Sequence, residues 1–369
     1  MSYKVLYIDD ETKERSQTYA DGLSSKGLLE IVVKQPTKYE DLISELIAEQ
    51  NTFDALILDL KLDGNQQGER VAKYTAPSLA SGIRSKYFSD NGFNKEFPIF
   101  LISSEENLKK YYDSDTASHD LFDNTFTKIK IGDEGVMYEK LIESIISAYN
   151  VISKGNNKFI KILNFNKIEQ IESRIFTSRF ISGEGVSVSE ISQYIFNEIV
   201  NKSGILIDED VLAARLGIDI DKSTDWKSLL SLLNSAKYSG IYSDSLNRWW
   251  FSEFLFWWND NFPNKTLIQL NASQRVNLLI DKFDIKKLVA ATAIDKTTST
   301  KFWTVCQAYR TPLDPIDGFL IDGNQLQSWQ DKRYISLQSI LERDAQQKGL
   351  LIHPEENERL NDLKLEYIK

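Results

Sequence analysis

Five polar side chains stand where short apolar segments of the chain end, and together they offer carboxylates, a hydroxyl and an ammonium group. They are Asp9, Asp10, Asp59, Ser103 and Lys128. The apolar run from Ala55 to Leu58 ends at Asp59, and Asp63-Gly64 then supplies residue types that are typical of a turn. Such a run is typical of a strand buried on both faces of a parallel sheet. Ligands bind at the carboxyl edge of these sheets, so Asp59 is a candidate for chemistry.

The acids at the ends of two strand candidates predict a metal site. The segment Tyr3–Ile8 leads directly into Asp9 and Asp10. If this strand is a parallel neighbour of the strand that ends at Asp59, the carboxylates come close enough to repel unless they share a proton or a cation. Oxygen ligands without nearby Cys or His suit Mg2+ better than zinc. We therefore expect Mg2+ at this edge of the sheet.

Strand and helix candidates alternate through residues 1–152. The strand candidates are Tyr3–Ile8, Glu30–Lys34, Ala55–Asp59, Pro98–Ile102 and Asn124–Thr127. Apolar spacing favours helices over Thr12–Lys26, Tyr39–Glu49 and Glu139–Val151. This alternation predicts an α/β fold with a doubly wound, five-stranded parallel sheet. The polar segment Ser153–Asn157 is the predicted domain boundary, and residues 158–369 are expected to form a second domain.

An acid pair, an acid, a hydroxyl and a lysine end successive apolar strands in that order, and this pattern resembles the receiver domain of two-component response regulators. The resemblance covers residues 1–152 and implies a flavodoxin-like fold. It implies that Asp59 accepts a phosphoryl group from a histidine kinase or a phosphotransfer protein. Asp9 and Asp10 match the acids that hold Mg2+ in that family. Ser103 matches the hydroxyl that moves toward the phosphoryl group, and Lys128 matches the cation that pairs with that group.

Phosphoryl-transfer chemistry agrees with these implied roles. A carboxylate that attacks a phosphoryl group forms an acyl phosphate, and positive charge must neutralise the equatorial oxygens. Mg2+ and Lys128 would supply that charge. We predict weak Mg2+ binding by Asp10, Asp59 and the backbone carbonyl of Lys61, with Asp9 in the outer shell of the site.

Three features depart from the receiver pattern. Ile129 follows Lys128, where receivers usually have proline. Thr125 stands where an aromatic residue often reports activation, so that role either is absent or passes to Phe126. The segment Lys73–Phe97 predicts an enlarged third helix with an added loop, which is either a docking surface or a solvated loop of no further consequence.

Composition restricts the surroundings and the partners. A chain of 369 residues suits two domains. Its net charge of −10 argues against a nucleic-acid or anionic-membrane partner. One cysteine excludes an internal disulfide and fits a reducing cytoplasm. Without an apolar span or a signal-peptide pattern, the protein is expected to be cytoplasmic and not inserted in a membrane.

Residues 158–369 are predicted to form a predominantly α-helical output domain of unknown type. The helix candidates are Ile168–Phe176, Ser189–Val200, Glu209–Leu216, Trp226–Leu233, Leu246–Asn259, Ser273–Phe283 and Tyr334–Gln347. The aromatic run Trp249–Trp258 is either a stacking or docking surface or, as we favour, core packing. Glu209–Ile218 resembles the first half of a helix-turn-helix, but its acidic surroundings argue against DNA binding. Cys306 and His353 are a possible nucleophile and base, although a buried thiol on a helix is favoured.

Three interpretations of the whole chain remain open. The first is a response regulator of a phosphorelay that signals through a helical domain and a protein partner. The second is a phosphate sink, in which Asp59 draws phosphoryl groups from a kinase. The third is a receiver that gates an unrecognised enzyme.

Overall fold

The computed structural model describes residues 2–64, 74–113, 116–154, 159–165, 167, 175, 186–323 and 326–367. The chain divides into two compact units. The first comprises Met1–Asn166, Phe176–Phe196 and Gly240–Leu246, and the second comprises Lys167–Ile175, Asn197–Ser239 and Asn247–Lys369. The first unit therefore takes in segments beyond the predicted receiver limit at residue 152.

A five-stranded parallel sheet forms the centre of the first unit. Its strands are β1 (Tyr3–Ile8), β2 (Leu29–Lys34), β3 (Ala55–Asp59), β4 (Ile99–Ser103) and β5 (Asn124–Thr127). They lie in the order β2-β1-β3-β4-β5, and every neighbouring pair is parallel. All residues of β3 and β4 are buried, as expected for central strands that are covered on both faces. This strand order is that of the flavodoxin-like fold, so the predicted fold of the first unit is confirmed.

Helices pack on the sheet in two layers. They are α1 (Lys13–Gly22), α2 (Tyr39–Glu49), α3 (Ala76–Ser85), α4 (Glu105–Asn107) and α5 (Ile131–Lys154). Helix α1 packs against α5, and α2 packs against α3. A π-helical turn, Leu108–Tyr112, continues α4, and 3₁₀ turns lie at Thr116–Leu121 and Lys128–Lys130.

Helix α5 begins well before its predicted start at Glu139, and α1 is shorter than predicted. The early start of α5 includes Gly132 and Gly135, residue types that favour turns in sequence-based prediction. A Cβ atom at Gly135 would lie 2.6 Å from the carbonyl oxygen of Gly22 at the end of α1. Gly135 therefore serves the close approach of two helices.

The segment after α3 contributes buried aromatic side chains to the core of the first unit. Phe93 and Phe97 are each 1% exposed, and their ring centroids lie 5.3 Å apart in an edge-to-face arrangement. Phe97 also packs edge-to-face on Phe53 at 5.0 Å. This part of the predicted insertion is therefore packed against the core of the first unit and is not a simply solvated loop. Lys73 and the residues just before it lie outside the described residues.

Two further helices of the first unit lie among the described residues. They are α6 (Phe159–Leu163) and α7 (Val188–Tyr194), and a π-helical turn over Ile195–Val200 follows α7. Glu96 accepts hydrogen bonds from the backbone N–H groups of Val188 and Ser189 at 3.0 and 3.1 Å, so the inserted segment holds the start of α7. Helix α5 continues to Lys154, and the rest of the predicted boundary segment lies outside the described residues.

The second unit is rich in helices, as predicted, and also contains three short antiparallel strand pairs. Its elements are β6 (Leu206–Ile207), α8 (Glu209–Leu216), α9 (Trp226–Leu232), β7 (Trp249–Trp250), α10 (Phe251–Asn261), α11 (Ala272–Phe283), β8 (Thr304–Val305), β9 (Pro312–Leu313), β10 (Gly318–Leu320), β11 (Tyr334–Ser336), α12 (Leu337–Leu341), α13 (Asp344–Gln347) and α14 (Asn357–Tyr367). Strand β6 pairs with β7, β8 with β9, and β10 with β11.

Two predicted helices of the second unit are wrong at their starts. Trp249 and Trp250 pair with β6 as a strand, and the helix begins at Phe251. The segment Tyr334–Ser336 pairs with β10 before the chain becomes helical. Pairing with another strand overrides the local helical spacing at both places. The predicted helix Ile168–Phe176 lies outside the described residues except for Ile175.

Among the described residues, every helix is too short or too polar to cross a lipid bilayer.

Candidate functional site

The carboxylates of Asp9, Asp10 and Asp59 meet at the carboxyl edge of the sheet. Strands β1 and β3 are parallel neighbours with Ile8 opposite Leu58, so the residues that follow lie side by side. One oxygen from each acid lies within 4.8 Å of the other two. Asp9 and Asp59 are buried, whereas Asp10 is half-buried.

Lys128 brings a buried ammonium group into contact with three carboxylates. Its Nζ atom lies 2.8 Å from Asp59 Oδ1, 3.1 Å from Asp9 Oδ2 and 2.9 Å from Glu11 Oε1. Burial alone would lower the pKa of Lys128, but the charges of Asp59 and Asp9 outweigh burial and raise the pKa above its usual value. Lys128 is therefore a fixed positive charge next to Asp59 at neutral pH.

Asp59 is a buried carboxylate that remains largely ionised at neutral pH. Burial raises its pKa to about 6, although the neighbouring Lys128 opposes that shift. Asp59 Oδ2 accepts a hydrogen bond from the backbone N–H of Lys61 at 3.0 Å. Asp59 is thus oriented by Lys61, paired with Lys128 and charged, as a nucleophile requires.

Asp10 contacts the loop that follows β3. Its Oδ2 atom accepts a hydrogen bond from the N–H of Gly64 at 2.6 Å. A Cβ atom at residue 64 would lie 2.7 Å from the same oxygen, so the absence of a side chain at Gly64 permits the contact. Burial raises the pKa of Asp10, and the hydrogen bond from Gly64 partly opposes this effect.

Tyr7 and Glu11, which the sequence prediction missed, complete the site. The hydroxyl of Tyr7, fully buried in β1, donates a hydrogen bond to Asp9 Oδ2. The backbone N–H of Glu11 donates to Asp9 Oδ1 at 2.9 Å, and its side chain pairs with Lys128. Burial, together with the charge of Asp9, raises the pKa of Tyr7 far above its usual value, so its hydroxyl stays protonated. Tyr7 lies two residues before Asp9, and this strand spacing is the signal that could have found it.

Ser103 and Lys61 lie at the same edge. Ser103 ends β4 and is 1% exposed. Its register partner Thr127 directly precedes Lys128. The ammonium of Lys61 lies 4.7 Å from the centroid of the Tyr111 ring. The movement of the Ser103 hydroxyl and the metal contact of the Lys61 carbonyl stay predictions.

Asp9, Asp10 and Asp59 fit a hard divalent cation. Their oxygens are close enough to share one ion, and carboxylate oxygens are the ligands that Mg2+ prefers. Asp9 already accepts hydrogen bonds on both oxygens, from Tyr7, Lys128 and the N–H of Glu11. Asp59 also has a donor on each oxygen, the N–H of Lys61 and the ammonium of Lys128. Asp9 has three donors and is 0% exposed, so it is the least favoured direct ligand, and half-buried Asp10 is the most favoured.

Replacing Asp10 by alanine should weaken Mg2+ binding by at least about tenfold, because affinity follows the number of ligand charges. Binding to the wild-type protein should also weaken as the pH falls through about 6, because protons then compete with the cation for Asp59. Both effects can be measured by NMR titration with Mg2+. Asp63→Ala, which changes an exposed acid of the neighbouring loop, is the matched control and should leave the affinity nearly unchanged. Equal affinity of the wild type and Asp10→Ala would remove Asp10 from the site.

Cys306 and His353 make separate contacts in the second unit. Cys306 is fully buried, and its Sγ atom accepts a hydrogen bond from the N–H of Ser336 at 3.3 Å. His353 Nδ1 accepts one from the N–H of Glu355 at 3.4 Å. Both residues are described, and no hydrogen bond joins them. Cys306 directly follows β8 and forms a β-bridge with Tyr334, so its expected position on a helix is wrong.

Comparisons with known proteins give likenesses in structure but none in sequence. No protein-family model matches the chain, and no curated protein matches it. NtrX from Brucella abortus is 15% identical with a TM-score of 0.31, over 42% of this chain and 30% of that chain. A response regulator receiver domain protein from Clostridium thermocellum is 13% identical with a TM-score of 0.26, over 38% of this chain and 94% of that one. The signal receiver domain of NarL from Mycobacterium tuberculosis is 15% identical with a TM-score of 0.27, over 40% and 97%.

The sheet of the first unit has the strand order of receiver domains. The predicted resemblance of residues 1–152 to receiver domains is therefore confirmed at the level of the fold. The second unit has no family match.

Proposed function

We propose that this protein is a cytoplasmic response regulator of a two-component phosphorelay that accepts a phosphoryl group on Asp59 from a histidine kinase or a phosphotransfer protein. The observation that carries the proposal is the contact of 2.8 Å between Asp59 Oδ1 and Lys128 Nζ, within a cluster of three carboxylates at the carboxyl edge of a parallel sheet. An ionised carboxylate, a fixed cation and a metal-binding acid cluster are the groups that phosphoryl transfer to an aspartate needs.

In the proposed reaction an oxygen of Asp59 attacks the phosphorus atom of the donor. An O–P bond forms, the N–P bond of the donor phosphohistidine breaks, and the imidazole leaves with the electron pair and takes up a proton from water. The N–H of Lys61 holds the orientation of Asp59, and Lys128 neutralises charge on the phosphoryl oxygens. Mg2+, when bound by Asp10 and Asp59, would supply further positive charge to the same oxygens.

The second unit is proposed to be a helix-rich output domain that binds a protein partner. Thr125 and Phe126 are the two candidates for relaying phosphorylation of Asp59 to that unit. Thr125, where receivers often have an aromatic switch residue, is half-buried. Phe126 is packed inside the first unit, with ring centroids 5.8 Å from Phe100 and 4.7 Å from Tyr138. The ring of Phe126 is thus packed between two aromatic rings, which opposes its movement as a switch. A phosphate sink needs no such movement, so the two alternatives must be distinguished by experiment.

Beryllofluoride with Mg2+, which mimics an aspartyl phosphate, should change hydrogen exchange in the whole protein if the chain is a switch. We expect the Ser103 hydroxyl to move toward the new oxygens, because phosphorylation adds negative charge beside a single lysine. Altered protection should then reach residues 108–130 and the described residues from 159 onward. Changes confined to the residues around Asp59 would instead favour the phosphate sink. Asp59→Asn is the control and should show neither pattern.

A further inference from the structure

Asp9 has two side-chain donors, one of which the proposed reaction does not use. Lys128 Nζ lies 3.1 Å from Asp9 Oδ2, and the Tyr7 hydroxyl donates a hydrogen bond to the same oxygen. Tyr7 is 0% exposed, as is Asp9. Because the two donors share one buried oxygen, the strength of one contact affects the other.

Lys128 in turn lies between Asp9 and Asp59. Its nitrogen is 3.1 Å from Asp9 Oδ2 and 2.8 Å from Asp59 Oδ1. An ammonium that carries three donor hydrogens can serve both carboxylates and Glu11, but its position depends on how strongly each acid attracts it. Partial neutralisation of Asp9 by another donor therefore leaves Lys128 closer to Asp59.

We infer that Tyr7 is a positioning residue of the phosphoacceptor site. Its hydrogen bond to Asp9 weakens the attraction of Asp9 for Lys128 and for the metal. Lys128 therefore stays in contact with Asp59, and Asp9 stays out of the ligand shell of the metal. The inference rests on the proposed function of Asp59. The hydroxyl of Tyr7 donates its hydrogen bond to Asp9, so its effect on the site passes through Asp9. The backbone N–H of Glu11 still donates to the other oxygen of Asp9. Loss of the tyrosine hydroxyl therefore changes how strongly Asp9 attracts cations more than it changes the position of the Asp9 side chain.

Replacing Tyr7 by phenylalanine tests the inference through two opposite effects. Without the hydroxyl donor, Asp9 attracts cations more strongly. Mg2+ alone should therefore bind more tightly by about threefold to tenfold, the range that corresponds to the net contribution of a typical intramolecular hydrogen bond. Lys128 should at the same time be drawn toward Asp9. The rate of phosphorylation by phosphoramidate at saturating Mg2+ should therefore fall by a factor of similar size.

Tyr149→Phe is a matched control in the same unit. The hydroxyl of Tyr149, a buried tyrosine, donates a hydrogen bond of 2.6 Å to Oδ1 of another buried aspartate, Asp123. Asp123 directly precedes β5, so this contact lies at the end of the strand opposite to the carboxyl edge. Its replacement should leave Mg2+ affinity and phosphorylation rate within about twofold of the wild type, because the donor is lost far from Asp59. A purely structural role of Tyr7 predicts that the two variants behave alike, and that result overturns the inference. Weaker Mg2+ binding by Tyr7→Phe, or a change in only one of the two measurements, also overturns it.

If Tyr7→Phe does not fold, a measurement on the wild-type protein tests the inference independently. NMR of protein labelled with carbon-13 at the tyrosine Cζ atoms should show a shift of the Tyr7 signal on saturation with Mg2+, while the Tyr149 signal stays in place. An unmoved Tyr7 signal overturns the inference. If the wild-type protein binds Mg2+ but accepts no phosphoryl group, both the proposed function and the inference about Tyr7 are refuted. If the wild-type protein is phosphorylated but the Tyr7 signal does not shift, only the inference is overturned.

Discussion

Replacing Lys128 by methionine should slow phosphorylation of Asp59 by about a hundredfold to a thousandfold, the usual cost of removing one preorganised group that stabilises transition-state charge. Lys128 is 8% exposed and contacts Asp59 at 2.8 Å, so water is a poor substitute for its charge. The measurement is the rate of adduct formation with phosphoramidate at saturating Mg2+, followed by mass spectrometry. Methionine keeps the length of the side chain and removes the ammonium.

Lys130→Met is the matched control for that change. Lys130 is exposed and lies two residues further along the same turn. Among the described residues, its ammonium pairs with one carboxylate, that of Glu134, at 3.7 Å. Its loss should leave the rate within about twofold, since exposed ion pairs contribute little. An equal loss of rate in both variants would indicate general damage, and an unchanged rate in Lys128→Met would remove Lys128 from the reaction.

Replacing Asp123 by asparagine should lower the free energy of unfolding of the first unit by about 3–5 kcal/mol, because it leaves a buried cation without its partner. The side chain of Asp123 is 1% exposed and pairs with Arg84, which is 14% exposed, at 3.0 Å. The same carboxylate accepts hydrogen bonds from Tyr149 and from the N–H of Ile99 at 2.6 and 2.8 Å. One carboxylate thus joins α3, β4 and α5, and hydrogen exchange of β4 and β5 in urea would measure its loss.

Asp120→Asn, at a nearby exposed acid, should change that free energy by no more than about 0.5 kcal/mol. A loss below about 1 kcal/mol in Asp123→Asn would contradict the account of a buried ion pair, because such a loss is typical of exposed pairs. The Asp123 network is separate from the contacts of Asp59, so folded Asp123→Asn should be phosphorylated at the wild-type rate.

The sequence was sufficient to predict the sheet because the strands are short and each is ended by a polar residue, and because all except Asn124–Thr127 are mainly apolar. Asp9, Asp59 and Lys128 lie at the ends of three such strands, and the structure brings all three into contact. A parallel sheet places all its carboxyl ends at one edge, so the topology alone brings these residues together. Helix α2 has its predicted bounds because its apolar spacing is regular and no glycine interrupts it.

The contacts that were missed depend on residues whose types are common elsewhere. A tyrosine in a buried strand is ordinary core packing until its hydroxyl meets Asp9, as that of Tyr7 does. Glu96, unlike Tyr7, gives no sequence signal, since its role is to accept hydrogen bonds from N–H groups about ninety residues away in the chain. The strand at Trp249–Trp250 exists because Leu206 and Ile207 pair with it. Pairings of this kind form only when distant segments meet, and local spacing does not encode them.

The claim that Asp59 is the phosphoacceptor is tested most directly by intact-mass spectrometry after treatment with phosphoramidate and Mg2+. The wild-type protein should gain one phosphoryl group in an adduct that is stable in acid and labile in base, as an acyl phosphate is. Asp63→Asn, which changes an acid in the neighbouring loop, should gain the same adduct, whereas Asp59→Asn should gain none. An adduct of unchanged yield in Asp59→Asn would contradict the account.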